Sequence, residues 1–236
     1  MTMSDIKVTG TSMTYGDGAI RNTKEGKGRF DLIPPEPMDI IDKRFGEICS
    51  VKDFEYLNDE MDIYRRAMRI HKSFGILPQE CDNIADVIIS IIAYSHNRTS
   101  GVYFDTHAFF DEFMKSFMST MKELAVHFEN GAKIYGEHNC EKGIPKWSFI
   151  DSGLRHLTQF LNGEDDENHY ISAIWNFWML LWTVLKEKSE AQSNELFDKL
   201  KDSIKKLDKS SMSETPVMLL NQVNPDSSES KEDDEE

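Results

Sequence analysis

The sequence is short of positive charge and of cysteine, and it has neither an apolar run that could span a bilayer nor a segment alternating with period two. Each absence removes a class of protein. Lys and Arg number 27 against 42 Asp and Glu, for a formal net charge of −15. A sequence-independent nucleic-acid binder needs a basic surface to displace counterions, so direct DNA or RNA binding is not expected. Small phosphate ligands remain open, because a few Lys and Arg beside a metal outweigh distant charge. Residues 214–236 hold eight acids against Lys231 alone and so carry −7 of the total; the rest is mildly acidic. The three cysteines, Cys49, Cys81 and Cys140, form no CxxC and cannot all pair. A reducing compartment and no structural zinc site follow. The N-terminus lacks the charged-then-apolar pattern of a signal peptide, and the longest apolar stretch, near 174–185, is too short for a membrane and carries Asn176. A cytoplasmic protein with no membrane partner is expected.

What is present is helical periodicity. The expected fold class is all-α, a helical bundle with no substantial sheet. Residues 1–28 read as an irregular arm, and Pro34, Pro35 and Pro37 postpone the first helix to about 36–45. Helices are then predicted over 53–73 (Phe54, Leu57, Met61, Tyr64, Met68 inward), 79–95 (Ile84, Val87, Ile88, Ile91, Ile92) and 107–130 (Phe109, Phe110, Phe113, Phe117, Met121, Leu124, Phe128). After loop chemistry over 131–148, two more run over 149–162 and 168–187, the last carrying Trp175, Trp178 and Trp182. A charged helix over 190–208 and a disordered acidic tail, 209–236, complete the chain. One domain over 1–208 is expected. Aromatics on more than one helix face suggest a homo-oligomer.

Chemistry concentrates in GEDDENHYISAIWN, residues 163–176. A helix beginning near 166 sets Asp166, His169, Ala173 and Asn176 along one face, at spacings of three, four and three. The preceding helix brings Asp151, Arg155 and His156, and the short turn packs the two antiparallel. The acids could cap the helix instead, where they favour the positive end of its dipole. Against capping alone stands Asn176, since a buried amide costs about 1–3 kcal/mol unless partnered. A second cluster, GAKIYGEHNCEKGIP, combines glycines that allow close approach with Lys133, His138 and Asn139, although Gly and Asn are also ordinary loop residues. Lys24, Lys27 and Arg29 could bring positive charge from the arm.

RNTKEGKGRFDLIPPEPM, HFENGAKIYGEHNCEKGIP and DSGLRHLTQFLNGEDDENHYISAIWN together resemble the motif blocks of the phage-type dATP/dGTP diphosphohydrolase family (MazZ-like N-terminal domain). That family is related in architecture to the MazG-type all-α pyrophosphohydrolases. The resemblance covers about residues 18–45 and 121–180. It implies a nucleoside triphosphate substrate, Mg²⁺ or Mn²⁺ held by carboxylates, and hydrolysis at the α-phosphorus to a monophosphate and pyrophosphate, in the host cytoplasm if the chain is phage-encoded. Carried over residue by residue, it implies Glu164, Glu167 and His156 as catalytic groups and Glu164, Asp166, Glu167 and His169 as metal ligands. Lys27, Arg29, Lys133, Tyr135, Asn139, Arg155 and Asn176 would bind substrate. The chain departs from the pattern at Cys140, where the family has Trp, and in residues 46–120, a mainly helical insertion. Within the insertion, ECDNIAD looks like a MazG-type EExxD helix in which only Asp86 matches, and core packing explains it as well. A non-catalytic nucleotide-binding or nucleotide-sequestering protein on the same scaffold is the alternative. An HD-type triphosphohydrolase is not expected, because no His-Asp doublet occurs.

Overall fold

Glycine and proline punctuate the chain less often than the sequence suggests, and the helices run longer. The computed structural model describes residues 12–14, 20–22, 25–51, 59–73, 80–100 and 109–213. They form helices α1 (Glu36–Val51), α2 (Glu60–Ser73), α3 (Glu80–Ser100), α4 (Phe109–Tyr135), α5 (Lys146–Asn162) and α6 (His169–Ser213). Single 3-10 turns occupy Phe30–Leu32 and Asn139–Glu141. The fold is all-α, as expected. Its one sheet among the described residues is an antiparallel ribbon, β1 (Ser12–Thr14) with β2 (Ile20–Asn22), in the register Ser12–Asn22, Met13–Arg21 and Thr14–Ile20. The arm is therefore not wholly irregular; strands of three residues are too short to display a period of two. Lys24, the start of the helix expected at 53, most of the loop expected over 97–106 and the tail 214–236 lie outside the described residues.

Two expected breaks do not occur. Gly131 stands inside α4, because one helical glycine costs only about 1 kcal/mol relative to alanine. The helix ends at Gly136 instead, whose φ of 88° is left-handed and whose N–H still bonds the Ala132 carbonyl. Nor is there a break after 187; Lys188, Ser189 and Glu190 contain neither Gly nor Pro, and α6 runs on to Ser213. The chain divides into two compact units, Met1–Lys188 and Ser189–Glu236. In the second, residues 189–206 are exposed throughout, Leu196, Phe197, Leu200 and Ile204 included.

The first unit is built around helices buried on all sides. Ile84, Ala85, Val87, Ile88, Ile89, Ile91, Ile92 and Ala93 of α3 are out of solvent, and so is nearly every residue of α6 from Ile171 to Leu181. α1, α2 and α4 pack against α3, and α2 against α5. On α2 the inward stripe is Ile63, Ala67 and Ile70, while Met61 is exposed; two overlapping stripes exist there, and the one carrying Ile63 and Ile70 faces the core. Arg44 of α1 grips Asp86 of α3 through hydrogen bonds of 3.0 and 2.9 Å, and Lys43 lies 3.7 Å from Asp82. The acids of the MazG-like segment thus tie α1 to α3. Trp178 of α6, fully buried, donates its indole N–H to the Pro34 carbonyl at 3.0 Å. That bond fixes the segment following the Phe30–Leu32 turn.

Candidate functional site

The turn between α5 and α6 is held by backbone geometry before any side chain acts. Gly163, at φ 77°, donates to Phe160, and Glu164 N–H reaches back to the Gln159 carbonyl at 3.0 Å, the paired bonds of a Schellman closure. Asn168 caps α6 by accepting the Ile171 N–H at 3.2 Å, and its own amide donates to Glu123 of α4. The helix therefore starts at His169, not near 166, and Glu164, Asp165, Asp166 and Glu167 precede it in the turn. Capping is done by Asn168 and leaves the acids free for other work.

Five of the residues singled out in the sequence meet here. His156 of α5 and His169 of α6 approach to 3.1 Å between their Nδ1 atoms. Glu167 Oε1 lies 2.8 Å from His156 Nδ1 and 3.2 Å from His169 Nδ1. Asp166 Oδ1 is 2.7 Å from His169 Nε2, and Gln159 Nε2 donates to Glu164 at 3.2 Å. The ligand atoms of His156, Glu167 and His169, and those of Glu164, Asp166 and His169, each fall within 4.8 Å of one another. His169 is buried at 3% exposure whereas the acids are open to solvent. Burial, together with neighbouring Arg155, lowers the His156 pKa from its usual value against the pull of Glu167, which favours the neutral ring. The hydrogen bond from His169 lowers the Asp166 carboxyl.

Beside this cluster lies an apolar pocket of about 360 Å³, whose walls include Leu32, His127, Tyr135, Asn139, Cys140 and Trp175. The predicted Tyr135 and Asn139 thus share a wall with Cys140, whose thiol burial pushes up to about 11, out of reach of thiolate chemistry. His127 and Trp175 also line the pocket, neither of them expected there from the sequence. Their rings sit 5.7 Å apart, and His127 is close enough to Glu167 and His156 to exchange charge effects with both, which makes it the joint between pocket and cluster. No local signal marks His127; it looks like a polar position in an amphipathic helix.

Five other expected residues stand differently. Lys133 pairs with Glu129 at 2.9 Å, and Arg29 with Asp31 and Glu137 at 2.7 and 2.6 Å, so both cations are already engaged. Lys27 and Arg155 are exposed. Asn176 is buried and donates to the Ser172 carbonyl at 2.8 Å, which gives its amide a partner inside its own helix.

Glu129 was missed as well. Nearly buried, it accepts the Gly26 N–H at 2.7 Å on one oxygen and the Gly28 N–H at 2.9 Å on the other, while Arg29 N–H bonds the Ala125 carbonyl at 3.0 Å. Gly28 has φ 83°, and a Cβ there would stand 2.9 Å from that of Ala125, so only glycine fits. The Gly26 amide and Lys133 hold the Glu129 pKa below its usual 4.5. A depressed carboxyl stabilises the clamp above the unfolded pKa and loses it as pH falls through the lower folded value. The Gly26 and Gly28 amide resonances are therefore expected to titrate together with a midpoint below 4.5, and a higher midpoint would contradict the clamp.

Residues 110–193 match the family model described as dATP/dGTP diphosphohydrolase, N-terminal. The resemblance to that family is thereby shown. The match takes in the two later motif blocks and both histidines of the cluster; the first block lies outside it. No curated protein and no solved structure matches the chain. The family's description is of a diphosphohydrolase, which implies a nucleotide substrate and suggests a divalent metal. The residues present fit such an ion: carboxylate oxygens and imidazole nitrogens converge, and the buried Oε1 of Gln159, whose Nε2 donates to Glu164, has no hydrogen-bond partner. Among the described residues no helix is long and apolar enough to cross a membrane.

Proposed function

We propose that the chain hydrolyses deoxynucleoside triphosphates, dATP or dGTP, to the monophosphate and pyrophosphate with Mg²⁺ or Mn²⁺. The observation that carries this reading is the apolar, aromatic-walled pocket joined through His127 to a cluster of carboxylates and imidazoles. The pocket suits a nucleobase. Trp175, His127 and Tyr135 offer ring faces, Asn139 offers an amide to a base edge, and Gly131 and Gly136 leave room for close approach. Glu164, Asp166, Glu167 and His169 are the donors for the ion, which when bound neutralises the polyphosphate and lowers the pKa of attacking water. Glu164, Glu167 and His156 are the available proton acceptors. Arg155 and Lys27, exposed and cationic, can meet phosphate oxygens directly; Arg29 and Lys133 do so only by exchanging a carboxylate for a phosphate.

The test is product analysis with purified protein, Mn²⁺ or Mg²⁺ and each triphosphate. Equal amounts of monophosphate and pyrophosphate are expected, with dATP and dGTP turned over fastest. Stoichiometric orthophosphate contradicts the reaction. Tight binding without turnover favours a nucleotide-sequestering protein on the same scaffold.

A further inference from the structure

Three electron-rich atoms face one another at the end of α5. His156 Nδ1, His169 Nδ1 and Glu167 Oε1 form a triangle with sides of 3.1, 2.8 and 3.2 Å. Asp166 Oδ1 lies 2.7 Å from His169 Nε2, a contact that a ring N–H donated to the carboxylate explains, and it turns His169 Nδ1 toward the other two atoms. The ligand atoms of His156, Glu167 and His169 all lie within 4.8 Å of one another. Two imidazole nitrogens and a carboxylate oxygen converging at this spacing are a donor set suited to a cation.

The dimensions of the triangle say which kind. An octahedron with bonds of about 2.1 Å has adjacent ligand atoms about 3.0 Å apart, and a tetrahedron with the same bonds about 3.4 Å. The three sides scatter around the octahedral edge. Two imidazole nitrogens suit first-row transition ions better than Mg²⁺, which prefers oxygen and gives up water reluctantly. A histidine that ligates through one nitrogen and donates the other to a carboxylate is the usual second shell of such an ion, and Asp166 occupies that position.

We infer that His156, His169 and Glu167 form a facial triad for a six-coordinate first-row transition ion, with Asp166 orienting His169. This rests on the hydrolase reading only for what the ion is used for. It moves His156 from proton acceptor to ligand and Asp166 from ligand to positioning residue, and leaves Glu164, tied to Gln159, as the proton acceptor. Glu167 is half-exposed, and phosphate oxygens could approach an ion held there from that side.

The experiment is Mn²⁺ and Mg²⁺ binding to the full chain by calorimetry, with electron spin-echo spectroscopy of bound Mn²⁺. Mn²⁺ is expected to bind at least tenfold more tightly than Mg²⁺ and to show couplings to two imidazole nitrogens. His156→Ala and His169→Ala should each remove one coupling and the Mn²⁺ preference. Asp166→Asn should weaken Mn²⁺ by about 10–100-fold with both couplings kept, and Glu164→Gln should bind Mn²⁺ like the wild type while losing turnover. Unchanged Mn²⁺ binding in His156→Ala, or its loss in Glu164→Gln, puts the ion instead between Glu164, Asp166 and His169 and overturns the triad. If His156→Ala does not fold, the wild-type spectrum decides: fewer than two imidazole couplings on bound Mn²⁺ overturns the triad. Triad binding with no pyrophosphate release would sink the hydrolase reading alone.

Discussion

Glu167→Gln is expected to lower triphosphate turnover by a hundred- to a thousandfold, about 3–4 kcal/mol of transition-state stabilisation, while the protein stays folded. The glutamine keeps the shape of the side chain, and the backbone bond from His169 N–H to the Glu167 carbonyl, 2.9 Å, does not depend on the acid. What disappears is the single anionic oxygen in contact with both imidazoles. A divalent ion would then lose its anionic ligand and its fixed position, and could no longer hold the attacking water in place. Steady-state kinetics at saturating Mn²⁺ should show the loss in kcat, with thermal unfolding little changed. Asp165→Asn, at an exposed position in the same turn, serves as the control and should change turnover less than about twofold. Turnover within threefold of wild type in Glu167→Gln removes the residue from the machinery.

Trp178→Ala should cost about 3–5 kcal/mol of stability, a large share of the roughly 5–15 kcal/mol available to a domain. The indole is 1% exposed and lies in the core of α6, and its N–H is bonded to the Pro34 carbonyl. Truncation leaves a cavity and an unpaired buried carbonyl. Trp178→Phe keeps most of the volume and loses mainly the hydrogen bond, so about 1–3 kcal/mol is expected. Because Pro34 follows the turn that delivers Leu32 to the pocket wall, the phenylalanine variant should also raise KM more than it lowers kcat. Urea denaturation orders the two variants; Trp147→Ala, at a 69% exposed position, should stay within about 0.5 kcal/mol. Equal losses in both Trp178 variants would show that the hydrogen bond, not the packing, dominates.

The helices that pack on all sides were legible because their apolar residues leave no ambiguity of period: the buried set on α3 contains every residue expected there. The cluster was legible for a similar reason, since one short stretch supplies acids and a histidine and the neighbouring helix supplies His156. The arm clamp was not. Glu129 sits four residues before Lys133 and reads as half of a surface ion pair; nothing local says that its carboxylate receives two amides from a segment 103 residues away. Arg29 and Lys133 were read as free cations because their partners are equally distant or look solvated. His127 was passed over because its value comes from what α6 and the turn place opposite it.

The same clamp bears on how freely the chain can grow. The arm is joined to α4 by three amides, at Gly26, Gly28 and Arg29, and everything between is a loop closed by them. Removing the inserted stretch that the family resemblance implies would shorten that loop from 103 residues to about 28. Closure entropy depends on the logarithm of length, so the longer loop is penalised by only about 1 kcal/mol. A latch of this kind tolerates the lengthening of everything it encloses, provided the added helices find a core of their own, and α3 supplies one.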